Sequence, residues 1–295
     1  YYWTIDDIGI ELLPSDDIQN VSSWIFGQST NYAEYGRTPL SQIDQNWVVG
    51  SQVANIGGAD QTNVTLSVDF GSFSANAIYD EDNDGNADVL SADSTGIIQT
   101  VINPSLTPGV YQGTYTLTSD GDQSGGNTFT NNTNQRNFEI TNNVYSLDGL
   151  GNHPSGTQSL ESYGSYSWPT DAADGLIVAT HYPILNTDTI NSVSAVITSN
   201  TVEYAEAILY IIDSTEFING MFGNAIYTSN IYTVTAADVA NGQITIPVDD
   251  GSGSLEITPG SYYAALELYS GGSTYDIGII SDKTVAQPFW SSAIW

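Results

Sequence analysis

The sequence predicts an all-β protein of two tandem Ig-like or jelly-roll β-sandwich domains, and three observations carry that expectation. Nearly every patterned stretch alternates apolar and polar residues with period two, as strands with one face in a core do. Clusters of Gly, Asn, Asp and Ser interrupt these stretches at short intervals, the punctuation of sandwiches and barrels. The segment LTPGVYQGTYTLTSDG at 106–121 returns as ITPGSYYAALELYSGG at 257–272.

Taken in order, NVTLSVDF sets Val64, Leu66, Val68 and Phe70 on one side and Thr65, Ser67 and Asp69 on the other. VYQGTYTLTS opposes Tyr111, Gly113, Tyr115 and Leu117 to Gln112, Thr114, Thr116 and Thr118. SVSAVITS and QITIPV alternate in the same way, while YAEAILYII is apolar on both sides and reads as a central strand. The one helical stretch is a turn in TAADVANG, ended by Asn241-Gly242. In each copy of the repeat a Pro-Gly turn precedes a Tyr, Tyr111 or Tyr262, at the start of the next strand. There the ring is expected to be buried and the hydroxyl returned to the backbone, as in the tyrosine corner of Greek-key sandwiches.

The repeat divides the chain into sandwiches at 15–143 and 144–295, each near the usual domain size. The boundary falls in NNVYSLDGLGNHPSGTQS, polar and Gly-containing like a linker. Residues 1–14 read as the closing strand of a preceding jelly-roll-like module or as a linker. A chain that opens at Tyr1 without Met or a signal peptide is expected to be a segment of a longer, processed protein.

The 295 residues hold 34 Asp and Glu against 3 Lys and Arg, for a net charge of −31. With only Arg37, Arg136 and Lys283 as cations, nothing is available to neutralise phosphates, so nucleic acids and anionic membranes are excluded as partners. Phosphoryl-transfer chemistry is disfavoured for the same lack of Lys and Arg clamps. Such a surface favours cation uptake and solubility in salt. The absence of Cys removes disulfides and thiolate metal sites, and no apolar run reaches membrane-spanning length.

The strongest local signal is DEDNDGNAD at 80–88. Asp80, Asp82, Asp84, Asn86 and Asp88 occupy positions one, three, five, seven and nine of a calcium loop, with Gly85 at the sharp turn. Hard oxygen ligands suit Ca²⁺, expected here as a structural ion. Ser91 stands at position twelve in place of a bidentate Glu, which implies weak binding in the range of about 10⁻⁴–10⁻³ M. A second acidic tip, SDGDQSGGN at 119–127, reads as a plain turn.

No catalytic residues are expected. His153 and His181 lack zinc-site spacing, no G-x-S-x-G elbow is present, and adjacent acids such as Asp6-Asp7, Asp16-Asp17 and Asp249-Asp250 would face opposite sides of a strand. A sugar platform is a second expectation, first at Tyr163, Tyr166 and Trp168, then at Trp24, Tyr32 and Tyr35, against the commoner fate of aromatics as core.

Three stretches carry a family resemblance. YYWTIDDIGIELLPSDD resembles the last strand of a jelly-roll or MAM-type lectin-like module. YGRTPLSQI, WVVGSQVANIGGADQTNVTLSVDF and the TPG-Y turn with its following Asn-rich run are similar to the Ig-like, CARDB-type adhesion modules of large secreted and cell-surface proteins of Bacteroidetes. The second half resembles the β-sandwich that often follows there, commonly as cargo of type IX secretion. The resemblance implies secretion or surface display and O-glycosylation at D-[ST] sites, of which Ser94, Thr189 and Ser214 fit the pattern.

The function expected from all of this is a non-catalytic adhesion, spacer or assembly role with other protein modules or surface glycans as partners. The alternatives are accessory domains of a secreted hydrolase and a subunit of an extracellular filament that self-assembles through strand edges.

Overall fold

The computed structural model describes residues 14–123, 126, 128–149, 158–165, 174–218 and 221–294, so residues 1–13 with their jelly-roll resemblance lie outside it. Its strands are β1 (Ile18–Gly27), β2 (Arg37–Pro39), β3 (Trp47–Asn55), β4 (Thr65–Asp69), β5 (Ser74–Ile78), β6 (Ser94–Ile102), β7 (Gly109–Thr118) and β8 (Thr133–Thr141). They continue as β9 (Leu160–Gly164), β10 (Leu176–Ile184), β11 (Asp188–Ile190), β12 (Ser192–Val196), β13 (Glu206–Asp213), β14 (Phe217–Ile218) and β15 (Met221–Phe222). The last are β16 (Tyr227–Thr228), β17 (Tyr232–Thr233), β18 (Gln243–Pro247), β19 (Leu255–Ile257), β20 (Gly260–Tyr269), β21 (Gly278–Asp282) and β22 (Ser292–Ile294). Among the described residues one α-helix, α1 (Ala236–Asn241), interrupts them, so the fold is all-β.

The chain forms two compact units. Of the described residues, the first draws on 14–25, 46–105 and 111–136, the second on 26–45, 106–110 and 137–294.

In the first unit, one sheet runs β1-β3-β6 and another places β7, β4 and β5 side by side. The period-two pattern sets the inner faces: Val64, Leu66, Val68 and Phe70 are buried, as are Tyr115 and Leu117 on the neighbouring β7. They share the core with Ile18, Ile25, Trp47, Val49, Val53 and Ile98 from the other sheet, which makes this unit a sandwich. Burying such side chains stabilises by about 1.5–3 kcal/mol each. The Tyr115 hydroxyl donates to the Trp24 carbonyl at 3.0 Å, so burial of this ring strands no polar group.

In the second unit, β10, β20 and β13 form the centre of a sheet that carries β22 on one edge and β16 and β17 on the other. β13 is the central strand its two-sided apolarity implied, with Ala207, Leu209 and Ile211 fully buried and joined by Ile244, Ile246 and Leu268. Helix α1 starts on a capping box, Thr235 with Asp238, and stops at Gly242 with φ +69°. Tyr262 makes the expected corner: its hydroxyl donates to the Thr258 carbonyl at 3.0 Å, fixing the turn before β20. Near the start of this unit Gln42 is buried, and its amide is fully used. Its Oε1 accepts from the Leu185 and Asn186 amides, and its Nε2 donates to the Asn186 carbonyl and to Asp188.

A candidate metal centre in an acidic loop

The 80–88 loop is an excursion between β5 and β6 whose ends are pinned together. Tyr79 is buried, its amide donates to the Val64 carbonyl at 2.8 Å, and its carbonyl accepts from the Asp88 amide at 2.8 Å. Two residues further on, Leu90 and Gln61 exchange backbone bonds at 2.9 Å in both directions. These anchors bring Asp80 and Asp88 back to one place although eight positions of sequence separate them.

Within the loop, Asp80 accepts from the amides of Asp84 at 3.1 Å and Gly85 at 2.9 Å, and Asp82 accepts from the Asp84 amide at 3.1 Å. Asp88 accepts from the Glu81 amide at 2.7 Å. Gly85 has φ +89°, which explains a glycine there. The result is three carboxylates, Asp80, Asp82 and Asp88, each offering an oxygen within 4.8 Å of the others. The Asp84 amide lowers the Asp82 pKa, but desolvation and the charges of Asp84, Asp88 and Asp80 outweigh it and leave that carboxyl raised above its ordinary value. The donor set is oxygen only, the chemistry of a hard divalent cation.

Two of the five expected ligands stand apart from this triad. Asp84 Oδ1 accepts both the backbone and side-chain N–H groups of Asn86, at 2.8 and 2.9 Å, so Asp84 and Asn86 satisfy each other. The physical reason is local: an Asp side chain readily accepts from the backbone two residues on.

The turn at 119–127 does more than expected. Asp122, 1% exposed, accepts from the Ile18 amide at 3.0 Å, Asn132 Nδ2 at 3.0 Å and the Thr128 hydroxyl at 2.9 Å. This carboxylate is a staple between β1 and the approach to β8. The local sequence does not show that the Ile18 amide, 104 positions away, donates to it, whereas Thr128 and Asn132 lie only 6 and 10 positions on.

The sugar platforms fare differently. Tyr166 and Trp168 lie outside the described residues, and Tyr163 on β9 is half-buried with its hydroxyl donated to Glu161 at 2.6 Å. The second platform is corrected: Tyr35 is buried against Phe138, and Trp24 is half-buried over Gly50, whose missing side chain leaves room for the ring. Tyr32 alone of that group is exposed. A pair that the sequence pattern missed is Tyr204 and Tyr275, 58% and 37% exposed, with ring centroids 5.9 Å apart. Tyr204 sits at φ +76°, an unusual backbone for a bulky residue.

Of the D-[ST] sites, Thr189 on β11 is exposed, while Ser94 and Ser214 are half-buried. His153 lies outside the described residues. His181 falls inside β10, buried against Tyr263 and Trp290, and desolvation pushes its pKa down to about 4. It is a neutral core ring at pH 7. Asp249 and Asp250 lie in a turn, each accepting backbone amides two residues on.

No family model matches the chain, and no curated protein matches it. Among solved structures it is similar at 12% identity to a CARDB domain from Pyrococcus furiosus solved in complex with di-metal ions, covering 47% of this chain and 100% of that one at a TM-score of 0.29. The secreted serine protease VesC of Vibrio cholerae is 12% identical over 82% of this chain and 48% of its own, at 0.22. Trypsin-activated alpha-2-macroglobulin of Escherichia coli is 12% identical over 93% of this chain and 16% of its own, at 0.23. Likenesses this distant carry no argument about function. What the fold and the loop define is a class: a β-sandwich protein with an all-oxygen carboxylate cluster between two strands.

Proposed function

We propose that this chain is a non-catalytic structural or adhesive part of a secreted or cell-surface protein, stiffened by Ca²⁺ at the 80–88 loop. The observation that supports it is the convergence of Asp80, Asp82 and Asp88 on a loop whose two ends are already pinned by backbone bonds. Three like charges this close repel, and a bound cation turns the repulsion into cross-linking of the loop. The ion would be held by those three carboxylates, and its role is rigidity. The strand-and-turn resemblance to secreted adhesion modules supports the localisation.

The test is thermal unfolding of the chain in EGTA and in 10 mM CaCl₂. Binding near millimolar affinity raises Tm by roughly 3–6 °C, and the Asp80→Asn/Asp82→Asn/Asp88→Asn triple variant abolishes the rise. An equal rise in the variant, or none in the parent chain, refutes the calcium assignment.

A second reading, an accessory carbohydrate-binding role, is favoured by the exposed Tyr204 and Tyr275 pair. Glycan-array binding that disappears in Tyr204→Ala and Tyr275→Ala supports it, and no binding to any glycan on the array removes it.

A further inference from the structure

We infer that the free edge of β6 is a docking site for an extended segment of another protein whose apolar residues alternate with Lys or Arg. Natural edge strands are kept from pairing by shortness, charge, Pro or cover. β6 lacks the first three of these protections. It is 9 residues long, reads STGIIQTVI, contains no charged residue and no Pro, and pairs on one side only, with β3. Ile97 and Val101 stand outward from one face at 59% and 52% exposure. By contrast β1, at the other edge of the same sheet, is mostly buried, with only Val21 exposed. β16 and β17, on an edge in the second unit, are 2 residues each.

The approach to this edge is open. β5 and β6 are not hydrogen-bonded to each other, and a cleft of about 650 Å³ lies beside them, lined by Gln52, Ile78, Asp80, Glu81, Ile97 and Gln99 among others. The far wall is unpaired too. The bonds Tyr79 N–H to Val64 and Phe70 N–H to Phe73 set the bonded pairs of the β4–β5 ladder at Leu66↔Ala77 and Val68↔Ala75. The backbone groups of Ser74, Asn76 and Ile78 therefore point away from β4. A strand added at β6 gains main-chain bonds, the mechanism of β-augmentation.

Charge selects the occupant. Asp80 and Glu81 border the cleft of a chain carrying −31. A second copy brings the same charge and few free cations: Arg37 bonds Glu139, Lys283 pairs with Glu161, and Arg136 is buried. A basic partner strand is complementary where a second copy repels. The inference rests on the non-catalytic reading above and names its partner; it does not require the cation at 80–88.

The test titrates the full chain, in EGTA, with a synthetic nonapeptide of alternating Val and Lys and with its Val and Glu counterpart, following hydrogen exchange of residues 94–102. The Val-Lys peptide is expected to slow alternate β6 amides about tenfold or more at saturation, less so at high salt. Ile97→Lys/Val101→Lys, or Gln99→Lys alone, should weaken the response at least tenfold, in keeping with edge lysines as blockers. Unchanged exchange across 94–102 overturns the proposal, as does an equal response to the Val-Glu peptide. Protection that grows with protein concentration without peptide makes a second copy the occupant and overturns it as well. Recovery of cleaved peptide sinks the non-catalytic reading, whereas an intact peptide that leaves β6 unprotected sinks the docking claim alone.

Discussion

Two acidic, Gly-containing loops of the first unit, 80–88 and 119–127, meet their charges in opposite ways. In the second, Asp122 is buried and receives hydrogen bonds from Ile18, far away in the chain, and from Thr128 and Asn132 a few residues on. Neighbouring Asp120 accepts from Thr62 and Asn63, and these side-chain bonds lower its pKa. In the first, the carboxylates share a few amides of their own loop and face one another. A carboxylate that finds neutral donors becomes part of the scaffold, and one that finds other carboxylates is left with a charge that a cation would balance.

The largest effect that bears on this contrast is expected from Asp122→Ala. It leaves a buried amide and a buried Asn132 side chain without their acceptor, at a cost of roughly 3 kcal/mol. Urea unfolding measures it, and a loss below about 1 kcal/mol would mean that Asp122 is an ordinary turn residue after all. Next comes Gly96→Val on β6, where a Cβ would lie 2.3 Å from the Tyr79 ring. Displacing that ring is expected to destabilise by about 1–3 kcal/mol and, because Tyr79 closes the loop, to weaken the Ca²⁺ response. A Gly96→Val protein that melts lower but keeps its full response would separate the anchor from the site.

Smaller, and opposite in sign between the two loops, is the dependence on pH without divalent cations. Asp82 has a raised pKa, so its protonated form favours the fold, and its contribution turns into a cost as pH rises through that raised value. Asp120 has a lowered pKa, so its contribution is present above the unfolded value near 4 and is lost as pH falls through the folded one. Unfolding curves of Asp82→Asn and Asp120→Asn against the parent between pH 3 and 7 should diverge in these two directions. The smallest effect is Asp84→Asn, which removes a carboxylate already turned to Asn86 and is expected to leave the calcium-induced Tm rise largely intact. Loss of the whole rise would restore Asp84 to the ligand set.

Much of the scaffold was legible in the residues. Period two named the inner faces of β4, β7 and β18 because one side of each faces a core, and Asn241-Gly242 ended α1 because only a left-handed residue continues that backbone cheaply. The calcium-loop spacing marked the stretch in which Asp80, Asp82 and Asp88 converge, since Asx turns and a Gly are local. It does not set Asp84 and Asn86 apart from the other three, for the same reason: they match the pattern equally well when bonded to each other. Aromatic clustering was a poor guide to exposure. Tyr35 lies in polar surroundings of sequence and Tyr204 opens an apolar stretch, yet Tyr35 is buried and Tyr204 is open.

The sequence by itself determined the all-β class, the strand faces, the acidic surface and the loop where carboxylates concentrate, because each of these follows from near neighbours and from totals. Only the tertiary structure decided that Asp122 is a staple while Asp80, Asp82 and Asp88 converge, that Gln42 is spent on β11 and its approach, and that β6 ends its sheet with one side unpaired. Those outcomes depend on which distant donors, rings and backbone edges arrive at a given place, and no local pattern carries that information.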